Sequence, residues 1–332
     1  MVSKFGTEEI KAFIQDAKFD RSKVIVTETS IHIGGKKIAR KENLICFAGL
    51  PKARKTTFVF GLIAACLTGR TIYEIQAKPG KVILLDTEQA QLEHLEQIER
   101  LEKLIGKRVD KLPFQSYVLR SFNLEQVKAM VEPILITEKP DYLVLDALTE
   151  MVYNFNDNEE VKHFIEWLKA ITTKYKIVLV GVMHLGKLNN FTVGALGSAI
   201  DRVCQSLLMV TKDEETKTSI LTAKFLRSDE HFEPIAIAFD ELTGTMVQVE
   251  SPGNYKINEK KTKWSDKTEQ EHKNIVAIIF ENEKELSYKA LVNALTLYYG
   301  RGTTIVKTQI IAFLLSKKYI LNINSNYTKG KL

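Results

Sequence analysis

The run Gly49-Leu50-Pro51-Lys52-Ala53-Arg54-Lys55-Thr56-Thr57 has the residue types and the order that bind phosphate. Gly49 stands six residues before Lys55, as in the pattern G-x-x-x-x-G-K-[ST]. In such a loop successive backbone N–H groups converge on phosphate oxygens, and the start of the following helix adds partial positive charge. Lys55 would reach the β- and γ-phosphates of a nucleotide, and the Thr56 hydroxyl would ligate Mg²⁺. One position departs from the pattern: Arg54 stands where the second glycine belongs. A side chain there needs a backbone conformation that an L-residue tolerates, and it must point away from the phosphates. The plainer alternative is an ordinary basic loop between a strand and a helix.

Hydrolysis would need carboxylates near that loop. Asp146 closes the apolar run Tyr142-Leu143-Val144-Leu145, where it would hold the water shell of a magnesium ion or the Thr56 hydroxyl. Glu88 follows the run that ends Asp86-Thr87. Beside a nucleotide it would orient and deprotonate an attacking water; as a mere helix N-terminal acid it would only complement the dipole. His184, in Met183-His184-Leu185-Gly186-Lys187, ends a further buried run, where it would either sense a γ-phosphate or serve as plain structure. Gly194-Ala195-Leu196-Gly197-Ser198 reads as a mobile loop leading to Asp201-Arg202. Lys224 and Arg227 end another strand; they would reach a neighbouring subunit's γ-phosphate or form a solvated basic corner.

These groups meet only if a parallel sheet carries them. Apolar runs at 44–48, 81–86, 142–146 and 176–183 alternate with helical stretches at 56–69, 91–105, 124–138 and 158–175. That alternation predicts a mostly parallel α/β sheet covered on both faces, with active groups at the strands' carboxyl ends. A short strand at 117–119 and further strands at 200–210, 218–224 and 235–239 complete a core spanning 44–250. Residues 1–43 form a preface: a helix from Glu8 to Ala17, then strands at 24–27 and 30–33 followed by a Gly34-Gly35 turn.

Residues 251–273 are polar and charged and read as a linker, with Trp264 docking it onto the core. Residues 274–332 show three helical patterns, at 274–282, 287–297 and 303–317, then a small hairpin near Tyr319-Ile320-Leu321. Three helices and a hairpin follow the plan of a winged helix, whose third helix would present Lys307 and Gln309 to a major groove. A helical packing or oligomerisation module fits the same pattern. Charge favours the nucleic-acid reading: residues 251–332 carry 14 Lys/Arg against 7 Asp/Glu, while the rest is nearly neutral.

No apolar run reaches the length of a membrane span, and charge interrupts the N-terminus before any signal-like segment forms. Cys46, Cys66 and Cys204 lie in apolar surroundings without C-x-x-C spacing, as buried thiols of a reducing, cytoplasmic compartment do.

Taken together, GLPKARKTT, LLDTEQ, YLVLDALTE, VGVMHLGK, GALGSAIDR and TAKFLRS resemble the ordered motifs of RecA-like P-loop ATPases. Within them the chain looks most like the hexameric replicative-helicase group that includes the plasmid RepA helicase, the AAA domain of plasmids, phages and mobile elements. The resemblance spans roughly residues 40–245. It implies ATP and Mg²⁺ as ligands, Glu88 as catalytic base, Asp146 as the Walker B aspartate and His184 as the histidine after the next strand. Lys224 and Arg227 match the basic pair acting in trans only loosely, because their spacing is K-x-x-R. It further implies a homo-oligomeric ring or hexamer acting on DNA, with the loops after His184 and around Gly194–Ser198 facing its pore. A nucleotide-gated DNA-binding regulator or loader, with little hydrolysis, is the alternative that Arg54 motivates; a scaffold that binds no nucleotide is a third.

Overall fold

The computed structural model describes residues 6–24, 28–185, 194–213, 215–251, 264–281, 283–299, 303–323 and 326–330. In chain order the strands are β1 Ile31–Ile33, β2 Lys36–Ala39, β3 Leu44–Gly49, β4 Ile75–Ala77, β5 Val82–Asp86, β6 Phe114–Val118, β7 Tyr142–Asp146 and β8 Val178–His184. They continue with β9 Ser206–Lys212, β10 Ser219–Leu226, β11 Ile235–Asp240 and β12 Thr245–Val249. The helices among them are α1 Thr7–Ala17, α2 Lys55–Thr68, α3 Gln91–Ile105, α4 Leu124–Glu138, α5 Asn158–Tyr175 and α6 Gly194–Val203.

Nine strands form the central sheet, in the order β12-β11-β10-β9-β3-β8-β7-β5-β6. From β9 to β6 every pairing is parallel, and β10, β11 and β12 add an antiparallel extension. The inner parallel strands β3, β5, β7 and β8 are apolar up to their last residues because both faces are covered, so alternate residues feed two separate cores. On β3, Ile45 and Phe47 point into the core shared with α2 and α3, while Leu44, Cys46 and Ala48 enter the core shared with α4, α5 and α6. On β8, Val178, Val180 and Val182 take the first side and Leu179 and Met183 the second. Each large side chain so buried contributes about 1.5–3 kcal/mol. Slipping one strand by one residue would exchange its two faces.

The sheet's register sets the site. Gly49 pairs with His184 across β3 and β8, and Asp86 pairs with Asp146 across β5 and β7. All four therefore end their strands on one edge of the sheet.

Several expectations need correction. Gly34 and Gly35, both at positive φ, join β1 to β2, so they turn a hairpin rather than follow one. Of the strand expected at 24–27, residues 25–27 lie outside the described residues. Gly194–Ser198 is no loop: it opens α6, whose Leu196, Ala199 and Ile200 are buried. Consequently 200–203 is helical and the next strand starts at Ser206. The loop after His184, residues 186–193, lies outside the described residues.

Near the C-terminus, α7 Glu269–Ile279 and α8 Tyr288–Tyr299 precede a third helical segment, Thr303–Ile305 and Ile311–Ser316 with a π turn at Val306–Ile310 between them. Strands β13 Glu285–Ser287, β14 Ile320–Ile323 and β15 Asn326–Lys329 form an antiparallel sheet in the order β13-β15-β14. This unit has its own core, including Ile275, Leu291, Leu295, Val306, Ile310 and Leu314. Trp264 packs on that core rather than on the larger one, with its ring against His272 and Phe313 and its Nε1–H donating to Gln309 Oε1 at 3.1 Å.

Candidate active site

Gly49 ends β3 so close to its neighbour that only glycine fits: a Cβ there would lie 2.4 Å from the Val210 carbonyl oxygen. Leu50 is half-buried, Pro51 and Lys52 are exposed, and Ala53 tucks into the core beneath them. The Ala53 N–H donates to the Leu50 carbonyl at 3.2 Å, which tightens the turn. Arg54 then takes the left-handed conformation, φ 67° and ψ 36°, directly before α2. That is the geometry glycine would supply without strain, and for a non-glycine residue it costs about 1–2 kcal/mol. Its guanidinium donates to the Lys217 carbonyl at 2.9 Å, on the β9–β10 turn. The backbone of the missing glycine is thus kept while the side chain is tied to the β9–β10 turn.

Lys55 opens α2 and is only 6% exposed. Its ammonium donates to the carbonyls of Gly49 and Leu50, each at 3.1 Å, and to His184 Nδ1 at 3.1 Å. A ring nitrogen that accepts from an ammonium leaves the imidazole proton on the other nitrogen. His184 Nε2 accordingly donates to Glu88 Oε1 at 3.0 Å. Lys55, His184 and Glu88 form one continuous hydrogen-bonded chain over the ends of β3 and β8. Burial lowers the Lys55 pKa, and the charges of Asp146 and Glu88 offset part of that. Thr56 and Thr57 are half-buried in the first turn of α2, and the Thr57 N–H donates to the Arg54 carbonyl.

Glu88 belongs to the end of β5, yet in the sheet β7 lies between β5 and the β8 strand that bears His184. The turn after β5 bridges that gap. Thr87 donates from both its N–H and its hydroxyl to the Asp146 carbonyl, and its hydroxyl accepts from the Ala147 N–H; the peptide between Asp146 and Ala147 is cis. The strand end of β5 is thereby stitched over that of β7.

Asp146 sits beneath these groups. Burial pushes its carboxyl up to about 7; the charges of Glu88 and Asp86 add to this, and Lys55 and His184 oppose it. Between about pH 4 and pH 7 the folded protein holds a proton here that the unfolded chain has lost, so stability falls as pH rises through that window. Without nucleotide, the wild type is expected to lose thermal stability relative to Asp146→Asn between about pH 5 and pH 8. Melting curves of both proteins across that range check this, and parallel curves would count against it.

Two functional candidates escape a reading of sequence alone. Asp86 is 2% exposed and accepts from the N–H groups of Glu88 and Gln89, each at 3.0 Å, and from His94 Nδ1 at 2.8 Å. His94 Nε2 lies 3.0 Å from Ser116 Oγ on β6. Asp86 ends its strand just as Asp146 does, which is a usable signal. For His94 there is none, since neither residue of the pair marks the other in the sequence.

Lys224 and Arg227 are not part of this cluster. Lys224 Nζ binds Asp201 Oδ2 at 2.6 Å; Arg227 donates from Nε to the Cys204 carbonyl at 2.9 Å and from Nη2 to the Arg202 carbonyl. Both hold the C-terminal end of α6 against β10. All three cysteines are buried and free.

The residues present fit a magnesium nucleotide. The glycine cradle at Gly49, a buried lysine at a helix start, and a hydroxyl and a carboxylate as oxygen donors are the groups such a ligand needs. Among the described residues no group of three or more His, Cys, Asp or Glu side chains could cage a metal by itself, so Mg²⁺ would share Thr56 and Asp146 with phosphate and water. Nor is any described helix long and apolar enough to cross a membrane.

A family model described as "AAA domain" matches residues 14–190. No curated protein matches the chain. Among solved structures, one described as an ATPase domain is 11% identical with a TM-score of 0.49, covering 73% of this chain and 97% of its own. A KaiC-like protein of the hyperthermophilic archaeon Pyrococcus horikoshii OT3 is 10% identical with a TM-score of 0.49, covering 68% of this chain and 100% of its own.

Proposed function

The chain belongs to the AAA domain family, and from that premise we propose that it is an ATP-hydrolysing, helicase-like motor of the RecA type that works on DNA, in replication or maintenance, including that of a mobile element. The observation that carries this reading is the chain Lys55–His184–Glu88, which joins the phosphate-loop lysine to a carboxylate through one imidazole. ATP would lie with its phosphates over the start of α2, where helix N–H groups and Lys55 favour negative charge. Lys55 would exchange the Gly49 and Leu50 carbonyls for phosphate oxygens. Mg²⁺, held by Thr56 and Asp146, would neutralise charge on the β- and γ-phosphates. Glu88 would take a proton from the water that attacks the γ-phosphorus, as the bond to the β-phosphate oxygen breaks and ADP leaves. His184, bonded to both Lys55 and Glu88, would register whether a γ-phosphate is present.

Assembly into a ring is part of the proposal, with Lys224 and Arg227 reaching the next subunit's nucleotide once released from Asp201 and from the Arg202 and Cys204 carbonyls. The C-terminal unit is read as a winged helix on its three helical segments and three-stranded sheet. Its third segment leaves Lys307, Thr308 and Gln309 exposed, and the region is basic, which supports contact with a phosphate backbone.

The test is ATP hydrolysis titrated with short single-stranded and duplex DNA. Turnover that rises several-fold with either form supports the motor; turnover indifferent to both removes DNA from the reading. Arg54 gives one rival a specific footing. A protein that binds ATP tightly yet never turns over, at any DNA or protein concentration, is a nucleotide-gated switch.

A further inference from the structure

The four-residue turn Thr87-Glu88-Gln89-Ala90 joins β5 to α3 and carries the carboxylate on which hydrolysis depends. Nothing in a short turn by itself fixes where such a side chain points. Here both ends of the turn are clamped by one buried pair. On the strand side, Asp86 Oδ1 accepts from the backbone N–H groups of Glu88 and Gln89. On the helix side, His94 lies in the first turns of α3, where its own N–H donates to the Ala90 carbonyl at 2.9 Å. The two sides meet where His94 Nδ1 donates to Asp86 Oδ2 at 2.8 Å. On the far side of the ring, His94 Nε2 lies 3.0 Å from the Ser116 hydroxyl on β6. Strand, helix and edge strand are thereby locked around a buried carboxylate.

We propose that His94 is a positioning residue for Glu88: by holding Asp86 it fixes the backbone from which Glu88 reaches His184 Nε2. The inference rests on the reading of Glu88 as the base. Its physical content is that a carboxylate this deeply buried keeps its orientation only while each oxygen has a partner. Without His94, Asp86 Oδ2 must take up a proton, admit water or rotate, and rotation withdraws Oδ1 from the Glu88 and Gln89 N–H groups. Glu88 then loses its aim while the phosphate loop, built on β3 and α2, is untouched.

His94→Ala is therefore expected to lower ATP turnover by about tenfold to a hundredfold, the scale of a small misplacement of a reacting group, while ATP affinity stays within about threefold of wild type. His94→Asn places an amide N–H where Nδ1 stood and is expected to recover most of the turnover. Ser116→Ala, which leaves the Asp86 contact in place, is expected to retain more turnover than His94→Ala. A second arm does not use activity: in ¹⁵N-edited spectra of the histidine rings, the His184 Nε2–H signal bonded to Glu88 is expected to shift or exchange away in His94→Ala and to return in His94→Asn. Full turnover in His94→Ala, equal loss in His94→Asn, or an unchanged His184 signal overturns the proposal, as does a fall in ATP affinity to match the fall in turnover. A wild type that binds ATP without hydrolysing it sinks the motor reading instead, and the spectra still decide whether His94 places Glu88.

Discussion

Glu88→Gln is expected to bind Mg-ATP within about threefold of wild type and to hydrolyse it about 10²–10⁴ times more slowly, the contribution of a positioned general base. The substitution is close to isosteric. Its amide oxygen can still accept from His184 Nε2, so the Lys55–His184 contact and the phosphate loop keep their partners. What is lost is basicity, since an amide does not take a proton from water. One indirect effect runs the other way: Glu88 is among the charges that push Asp146 up, so removing it favours the Asp146 carboxylate and, with it, magnesium. Affinity is therefore expected to hold or improve while chemistry stops, and the variant should accumulate with ATP bound. Equilibrium binding alongside single-turnover hydrolysis separates the two. Turnover within about threefold of wild type would exclude Glu88 as the general base and leave its bond to His184 as structure.

That Gly49, Asp146 and His184 stand out in the sequence reflects the architecture more than the motifs. In a parallel sheet every strand delivers its last residue to one edge, so these three and Asp86 share that edge wherever they lie in the chain. The helices that separate those strands are equally legible, because their ends carry chemical marks. Asn123 caps α4 with Gln126 as its reciprocal partner, Asp157 caps α5 by accepting from two N–H groups, and Gly69 and Gly106 close α2 and α3 in the left-handed conformation. The α3, α4 and α5 spans match the expected ones residue for residue.

The misreadings share a cause, which is packing that overrides local composition. Two glycines in five residues make Gly194–Ser198 look like a loop. In the structure Gly194 alone takes positive φ, at the helix start, where a Cβ would lie 2.1 Å from Asn156 Oδ1. The burial of Leu196, Ala199 and Ile200 in the core shared with α5 then holds residues 195–203 as a helix. Trp264 goes to an unexpected body for the same reason: a polar stretch does not tell which apolar surface will claim its tryptophan. The Asp86–His94 pair shows the limit most clearly. Each residue alone is ordinary in sequence, and only the approach of α3 to the end of β5 makes them a unit. Arg54 is the converse case. The departure is plain in the sequence, and its resolution needs the backbone angle and the Lys217 carbonyl, neither of which the pattern contains.

Lys55→Ala is expected to weaken ATP binding at least about tenfold and to reduce turnover by about 10² or more, because the lysine's charge serves both the bound ground state and the charge that develops during transfer. The contacts of Lys55 show why this loss would not be mere unfolding. Lys55 is buried among carbonyl oxygens and a histidine, and burial already lowers its pKa, so the folded protein gains little from keeping it. Alanine removes that desolvation cost and leaves the Gly49 and Leu50 carbonyls to water, and these opposing effects should leave the melting temperature of the ligand-free protein nearly unchanged. The contrast appears on adding ligand. At a hundredfold excess over its dissociation constant, a ligand stabilises the folded state by about 2.7 kcal/mol. The wild type should show the corresponding rise in melting temperature with Mg-ATP, and Lys55→Ala at the same concentration should show little of it. Equal shifts in the two proteins would mean that the phosphates lie elsewhere, and that Lys55 only closes the turn between β3 and α2.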